Sequence, residues 1–145
     1  MRITLTKSLF FSLLSLPLAT SASLAGPCEQ LAGNRYLVYL EGTFTGTPNT
    51  LVTSFLDFGR EHRAYKLLVQ PKPAQLPAGG QGVYGTGYID TMTCTASPTA
   101  ADQANLSFAS GGTLWVKVAP NGASFTTQGV DSNSKLMKGY GYKVQ

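Results

Sequence analysis

The chain has 145 residues, seven acidic and eleven basic side chains, one histidine and two cysteines. This length holds one domain, and the apolar share of 43% with modest net charge argues against disorder of the whole chain. One histidine and two cysteines argue against a multi-ligand zinc site, and 16 glycines without a three-residue period exclude a collagen-like chain.

The first segment reads as an address. Arg2 and Lys7 precede an apolar run from Leu9 to Leu18, and small residues from Ala19 to Ala25 follow. This is the layout of a secretory signal peptide, with cleavage expected after Ala25 and Ala22 as the second choice. The other reading, an uncleaved anchor, is opposed by Pro17 and the serines within the run. Pro27 separates Leu24-Ala25-Gly26 from Cys28 and breaks the resemblance to a lipoprotein signal. Residues 1–25 are thus expected to be a signal peptide and 26–145 a single domain, secreted or periplasmic. Removal of Arg2 and Lys7 leaves nine basic against seven acidic side chains, a net charge of +2. That is far from the basic stripe of a nucleic-acid binder, and no later stretch is long enough to span a membrane.

In an oxidising compartment Cys28 and Cys94 most simply form one disulfide. It would close a loop of roughly 65 residues and contribute about 4 kcal/mol in the chain-entropy model. Neither cysteine has a cationic neighbour of the kind that activates a thiol.

Strands and turns follow. Residues 34–45 are rich in aromatic and β-branched side chains; a turn at 46–49 leads to a second strand over 51–58, and a third covers 63–70. Residues 71–80 hold three prolines and two glycines and read as a loop. Further strands are expected over 82–93, 104–108, 113–119, 124–130 and 135–144, with 95–103 as a second loop. The Pro120-Asn121-Gly122 and Gly111-Gly112 pairs are hairpin chemistry, since such turns need positive φ.

Period-2 alternation places Tyr36, Val38, Leu40 and Phe44 on one face of the first strand. It places Tyr65, Leu67 and Val69 together on the third, and Leu114, Val116 and Val118 on the sixth. On the last strand Leu136, Tyr140, Tyr142 and Val144 are expected to face inward, opposite Gly139, Gly141 and Lys143. Eight antiparallel strands of this length suit an all-β, up-and-down barrel, with a β-sandwich as the alternative. A barrel leaves no edge strand to protect, and the in-strand glycines at 42, 85, 87, 139 and 141 mark the bends it needs.

Leu31-Ala32-Gly33-Asn34-Arg35-Tyr36 opens the first strand, Gly85-Thr86-Gly87-Tyr88-Ile89-Asp90 precedes Cys94-Thr95, and the chain closes on Gly139-Tyr140-Gly141-Tyr142. Together these resemble small secreted bacterial proteins with a calycin-like (lipocalin-like) β-barrel. That group pairs a cysteine before the first strand with one in a later Cys-Thr segment. Gly33-x-x-Tyr36 stands where lipocalins proper carry Gly-x-Trp. The resemblance implies a fold and a compartment and brings no common activity.

The search for catalytic chemistry returns weak signals. Gly80-x-Gly82-x-x-Gly85 lacks the strand before it and the helix after it that a dinucleotide fingerprint requires. His62 sits in a polar Gly-Arg-Glu-His-Arg turn, and no Gly-x-Ser-x-Gly elbow exists. Glu41, Asp57, Glu61 and Asp90 show no pattern that would bring two carboxylates together for glycosidase work. No catalytic residue, cofactor or metal is therefore expected, and a catalytic role is the less favoured reading. The aromatic residues carry more weight. Tyr36, Phe44, Tyr65, Tyr140 and Tyr142 are expected to line the barrel interior, with Lys138 at the mouth meeting an acidic ligand head. Tyr39, Tyr84, Tyr88 and Trp115 are expected outside, where they would form a contact patch. The sequon Asn105-Leu106-Ser107 matters only in a eukaryotic secretory pathway.

The leading reading is a secreted, non-catalytic barrel that holds a small apolar or amphipathic ligand. One alternative is a protein-binding module, such as an inhibitor of a foreign hydrolase acting through loops 71–80 and 95–103. Another is a barrel enzyme acting on a hydrophobic substrate.

Overall fold

The computed structural model describes residues 25–44, 46–74 and 89–144. The signal segment to residue 24, most of the Pro-rich connection, Tyr84, Tyr88 and the glycines at 80, 82, 85 and 87 lie outside the described residues.

Eight antiparallel strands close into an up-and-down barrel in sequence order, which settles the choice against a sandwich. They are β1 (Arg35–Phe44), β2 (Thr47–Asp57), β3 (Arg63–Pro71), β4 (Ile89–Ala96), β5 (Gln103–Phe108), β6 (Thr113–Val118), β7 (Ser124–Val130) and β8 (Leu136–Lys143). Closure comes from β8 pairing with β1, Tyr36 opposite Lys143 through Gly42 opposite Met137. The turn expected over 46–49 tightens, so that β2 begins at Thr47, with Gly46 at φ +80° and Asn49 at φ +51°. The described part of β4 runs on to Ala96, which places Cys94 inside a strand rather than at its end.

Among the described residues one short helix, α1 (Pro27–Leu31), precedes the barrel. Five residues are too few for a hydrophobic period to show. Its signals are local: Pro27 is pre-set for a first helical turn, and the Glu29 carboxylate accepts the Gly26 N–H at 3.3 Å. The Cys28–Cys94 disulfide ties α1 to β4.

The two faces of the wall carry separate apolar sets. Inside, Tyr36, Val38, Val52, Leu56, Leu106, Leu114, Val116 and Phe125 belong to one continuous core. Outside, Leu37, Tyr39 and Leu51 form a second buried cluster, with Phe55, Tyr140 and Tyr142 packed against it.

Candidate functional site

The two ends of the barrel are built differently. The end that receives α1 is filled. Leu31 is fully buried there, and α1 lies against β4, β5 and β6. The Tyr36 ring packs edge-on to Phe58 at 5.8 Å and against Phe125 at 5.2 Å, and its hydroxyl donates to the Gly122 carbonyl at 2.6 Å. Burial pushes the Tyr36 phenol above its ordinary pKa, against a smaller downward pull from Asn34. Backbone bonds from Gly33 N–H to the Phe58 carbonyl and from Phe58 N–H to the Asn34 carbonyl seal the β2–β3 turn onto the entry to β1.

The opposite end holds a cavity of about 320 Å³. This lies at the small end of the range of roughly 300–1,000 Å³ for small-molecule sites. Alternation supplies its walls: Val38 and Leu40 from β1, Val52 and Leu56 from β2, Leu114 from β6 and Met137 from β8. Phe44 and Phe108 stand at the ends of β1 and β5 and complete the apolar surface.

Polar groups enter from β4 and from two turns. Asp90 on β4 is 9% exposed, and its Oδ2 accepts both the N–H and the hydroxyl of Ser110 in the β5–β6 turn. Asp131, at the start of the β7–β8 turn, accepts the N–H groups of Asn133 and Lys135 on Oδ1, each at 2.9 Å. This is the local bonding that makes Asp a turn residue. Its Oδ2 is buried and has no hydrogen-bond partner among the described residues. The two turns meet, with Ser132 3.9 Å from where a side chain on Gly111 would begin. Asp90, Ser110, Asp131 and Ser54 thus share one apolar-walled hollow.

The structure divides the residues expected to line the interior. Phe44 lines the cavity. Tyr36 is inside the barrel but fills the closed end. Tyr65 is outside: its neighbour Ala64 lines the cavity, and successive residues of a strand face opposite ways. Tyr140 and Tyr142 are also outside, stacked on each other at 6.3 Å and beside Tyr39 at 5.5 and 6.2 Å. Lys138 projects outward, 75% exposed and 3.4 Å from Glu41. It is not at the cavity.

The cause of the inversion on β8 is space. A Cβ on Gly141 would meet the Phe125 ring at 2.4 Å, and one on Gly139 would meet the Tyr39 carbonyl oxygen at 1.7 Å. Only residues without a side chain fit those positions, so the tyrosines between them face out. A register shift between Thr53 and Ser54, opposite β3, likewise breaks the simple alternation expected for the third strand. Tyr39 and Trp115 do lie on the outer face, Tyr39 buried in the outer cluster and Trp115 48% exposed.

The remaining candidates take structural positions. His62 packs edge-on to Phe58 at 5.6 Å, and its carbonyl accepts the Met92 N–H. Glu41 pairs with Lys72 and Lys138, Asp57 with Arg35, and Glu61 with Arg63. Among the described residues no group of three His, Cys, Asp or Glu side chains is placed to hold a metal ion. A larger hollow of about 930 Å³ lies on the outside of the wall beside Tyr140, Tyr142 and Pro120. The barrel does not enclose it.

Sequence reasoning missed Asp131 and Ser110 as site residues, since both stand in turns whose composition already explains them. From the sequence Asp90 stands out only as one half of a possible carboxylate pair.

No family model matches this sequence, and no curated protein or solved structure matches it either.

Proposed function

We propose that this chain is a secreted or periplasmic, calycin-like barrel protein that holds a small apolar or amphipathic molecule in its open end. The carrying observation is the cavity itself: an apolar-walled hollow of about 320 Å³ inside a barrel whose other end is filled. A side-chain-packed barrel of eight strands has no need of such a space, whereas eight-stranded barrels that hold one small ligand do. Two further features fit this compartment. The chain starts with the charge, apolar and small-residue layout of an export signal. It also carries a Cys28–Cys94 disulfide, the bond of oxidising surroundings. Among the described residues no helix is long and apolar enough to cross a membrane.

The function asked of the cavity is retention, so its walls act by burial and shape. A ligand that removes apolar wall from water gains roughly 25 cal/mol for each Å² covered. The test is titration with the apolar fluorophore N-phenyl-1-naphthylamine. Saturable binding of one molecule per chain is expected, and it should weaken markedly in Leu114→Trp, whose indole projects into the hollow and narrows it. Binding that persists unchanged in a folded Leu114→Trp protein would move the site elsewhere. No saturable binding would reject the carrier reading. Native against denaturing mass spectrometry of protein from its own medium then gives the mass of the natural occupant.

A further inference from the structure

The cavity's charge is the opposite of that expected from the sequence. The chain has seven acidic side chains. Glu41, Asp57, Glu61 and Asp102 each sit within 4.0 Å of a lysine or arginine, and Glu29 accepts the N–H at the start of α1. The two that remain are Asp90 and Asp131, and both line the cavity. Among the described residues neither has a cationic partner. Lys138, the cation expected at the mouth, is on the outer wall with Glu41.

Both carboxylates are held in place rather than loosely exposed. Asp90 is nine-tenths buried, and Ser110 takes up only its Oδ2. Asp131 is fixed by two turn N–H groups on Oδ1, and its Oδ2 is buried and unpartnered. A carboxylate taken from water is unfavourable unless a partner compensates it, and one left without a partner is uncommon in a folded interior. Here the buried Asp131 Oδ2 stands unmatched, and Asp90 beside it on the same cavity lining has no cation within 4.0 Å among the described residues. A hydrogen-bonding cation is the chemistry that matches them, and the wall demands that the cation carry an apolar body.

We propose that the cavity selects a protonated primary amine on a short apolar chain, with Asp90 and Asp131 receiving the ammonium head and the β1, β2 and β6 walls covering the tail. This rests on the reading of the barrel as a carrier and names its class of ligand. The distribution of polar groups supports an oriented ligand: Asp90 stands on β4, and Ser110 and Asp131 stand in the β5–β6 and β7–β8 turns that meet, whereas Val38, Leu40 and Val52 line β1 and β2 around the single Ser54. A metal ion alone would leave that apolar wall uncovered.

The test compares three probes with one tail, n-octylamine, octan-1-ol and n-octanoate, by calorimetric titration of the mature chain at neutral pH. The amine is expected to bind at least tenfold more tightly than the alcohol, and the alcohol more tightly than the octanoate. Asp90→Asn, which keeps the shape and the acceptor for Ser110, should remove most of the amine preference and leave octan-1-ol binding in place. Asp131→Asn should act in the same direction and keeps an acceptor for its turn. Octan-1-ol binding with no preference for the amine, or with octanoate strongest, overturns the amine inference and leaves the carrier reading standing. A preference that survives Asp90→Asn and Asp131→Asn together overturns the assignment of these residues. Binding of none of the three overturns both readings.

Discussion

The closed and open ends of this barrel are made from the same eight strands, yet one is solid and the other hollow. At the closed end, rings meet rings: Tyr36, Phe58 and Phe125 lie within 6 Å of one another in two pairs, capped by Leu31 of α1. At the open end the inward positions carry mostly aliphatic side chains and a serine, with Phe44 and Phe108 only at the strand ends, and carboxylates from β4 and the β7–β8 turn stand where an apolar plug would. Closure of the wall therefore does not decide whether a barrel holds a ligand. The size of the inward side chains at each level does, together with whether a segment outside the sheet covers the end.

The sharpest way to break this contrast is to truncate one side chain at each end. Phe58→Ala removes a buried ring from the packed end and should cost about 3–5 kcal/mol. Leu114→Ala enlarges a hollow that already exists, so it loses fewer contacts and should cost nearer 2 kcal/mol. Urea unfolding midpoints of the two variants give the comparison directly. Equal losses would mean that the open end is packed as tightly as the closed one.

The disulfide is the next largest device, and it belongs to the closed end. Cys28 and Cys94 are 66 positions apart and join α1 to β4. In the chain-entropy model a loop of that length contributes about 4 kcal/mol. Replacing both cysteines by serine should lower stability by up to that amount while leaving octan-1-ol binding unchanged in the fraction that stays folded. Loss of binding together with the bridge would show that the two ends are coupled.

Much of the fold was legible because alternation and turn chemistry act locally. Leu114, Val116 and Val118 face inward as their spacing demands, and the Pro-Asn-Gly turn sits between β6 and β7. Tyr36 and Phe44 were placed on the correct face for the same reason. The errors on β8 arise where hydrophobicity and volume disagree. A Gly-Tyr-Gly-Tyr repeat read by hydrophobicity turns the rings inward; read by space it turns the glycines inward, because the Phe125 ring and the β1 backbone occupy the room. Nothing within β8 itself tells which partner strand comes that close. The carboxylates of the cavity were illegible for a different reason. Asp90 and Asp131 are 41 positions apart, and only barrel closure brings the turns that hold them together.

Gly141→Ala tests this account of β8 with a smaller effect. The added methyl meets the Phe125 ring at 2.4 Å inside the packed end. Overpacking of this kind costs about 1–3 kcal/mol. Pairing it with Phe125→Leu, which removes the obstructing ring, should restore part of the loss. A double variant no better than the sum of the two singles would reject ring contact as the reason for the glycine.

The smallest effect is electrostatic, and each end has its own version on the outer wall. Near the open end, the Lys72 ammonium at 2.7 Å holds the Glu41 carboxyl below its ordinary pKa, against the upward push of burial, with Lys138 helping. At the closed end, burial pushes the Asp57 carboxyl up, but the bond from Arg35 and the Gly59 N–H outweigh it and leave the group below its ordinary value. Both carboxyls are more acidic folded than unfolded, so protons bind the unfolded chain more readily. Their contribution to stability is complete above the unfolded values of 4.5 for Glu41 and 3.8 for Asp57, and it is lost as the pH falls through the lower folded values. The melting temperature should therefore decline on acidification below pH 4.5, and the decline should be shallower in Glu41→Gln and in Asp57→Asn. Ion pairs this open to solvent contribute about 1 kcal/mol at most, and salt weakens them. Because Asp57 also accepts the Gly59 N–H at 2.9 Å within the β2–β3 turn, Asp57→Ala, which removes that acceptor, should cost more than Glu41→Ala. A larger loss at Glu41 would place the stronger electrostatic clamp at the hollow end of the barrel.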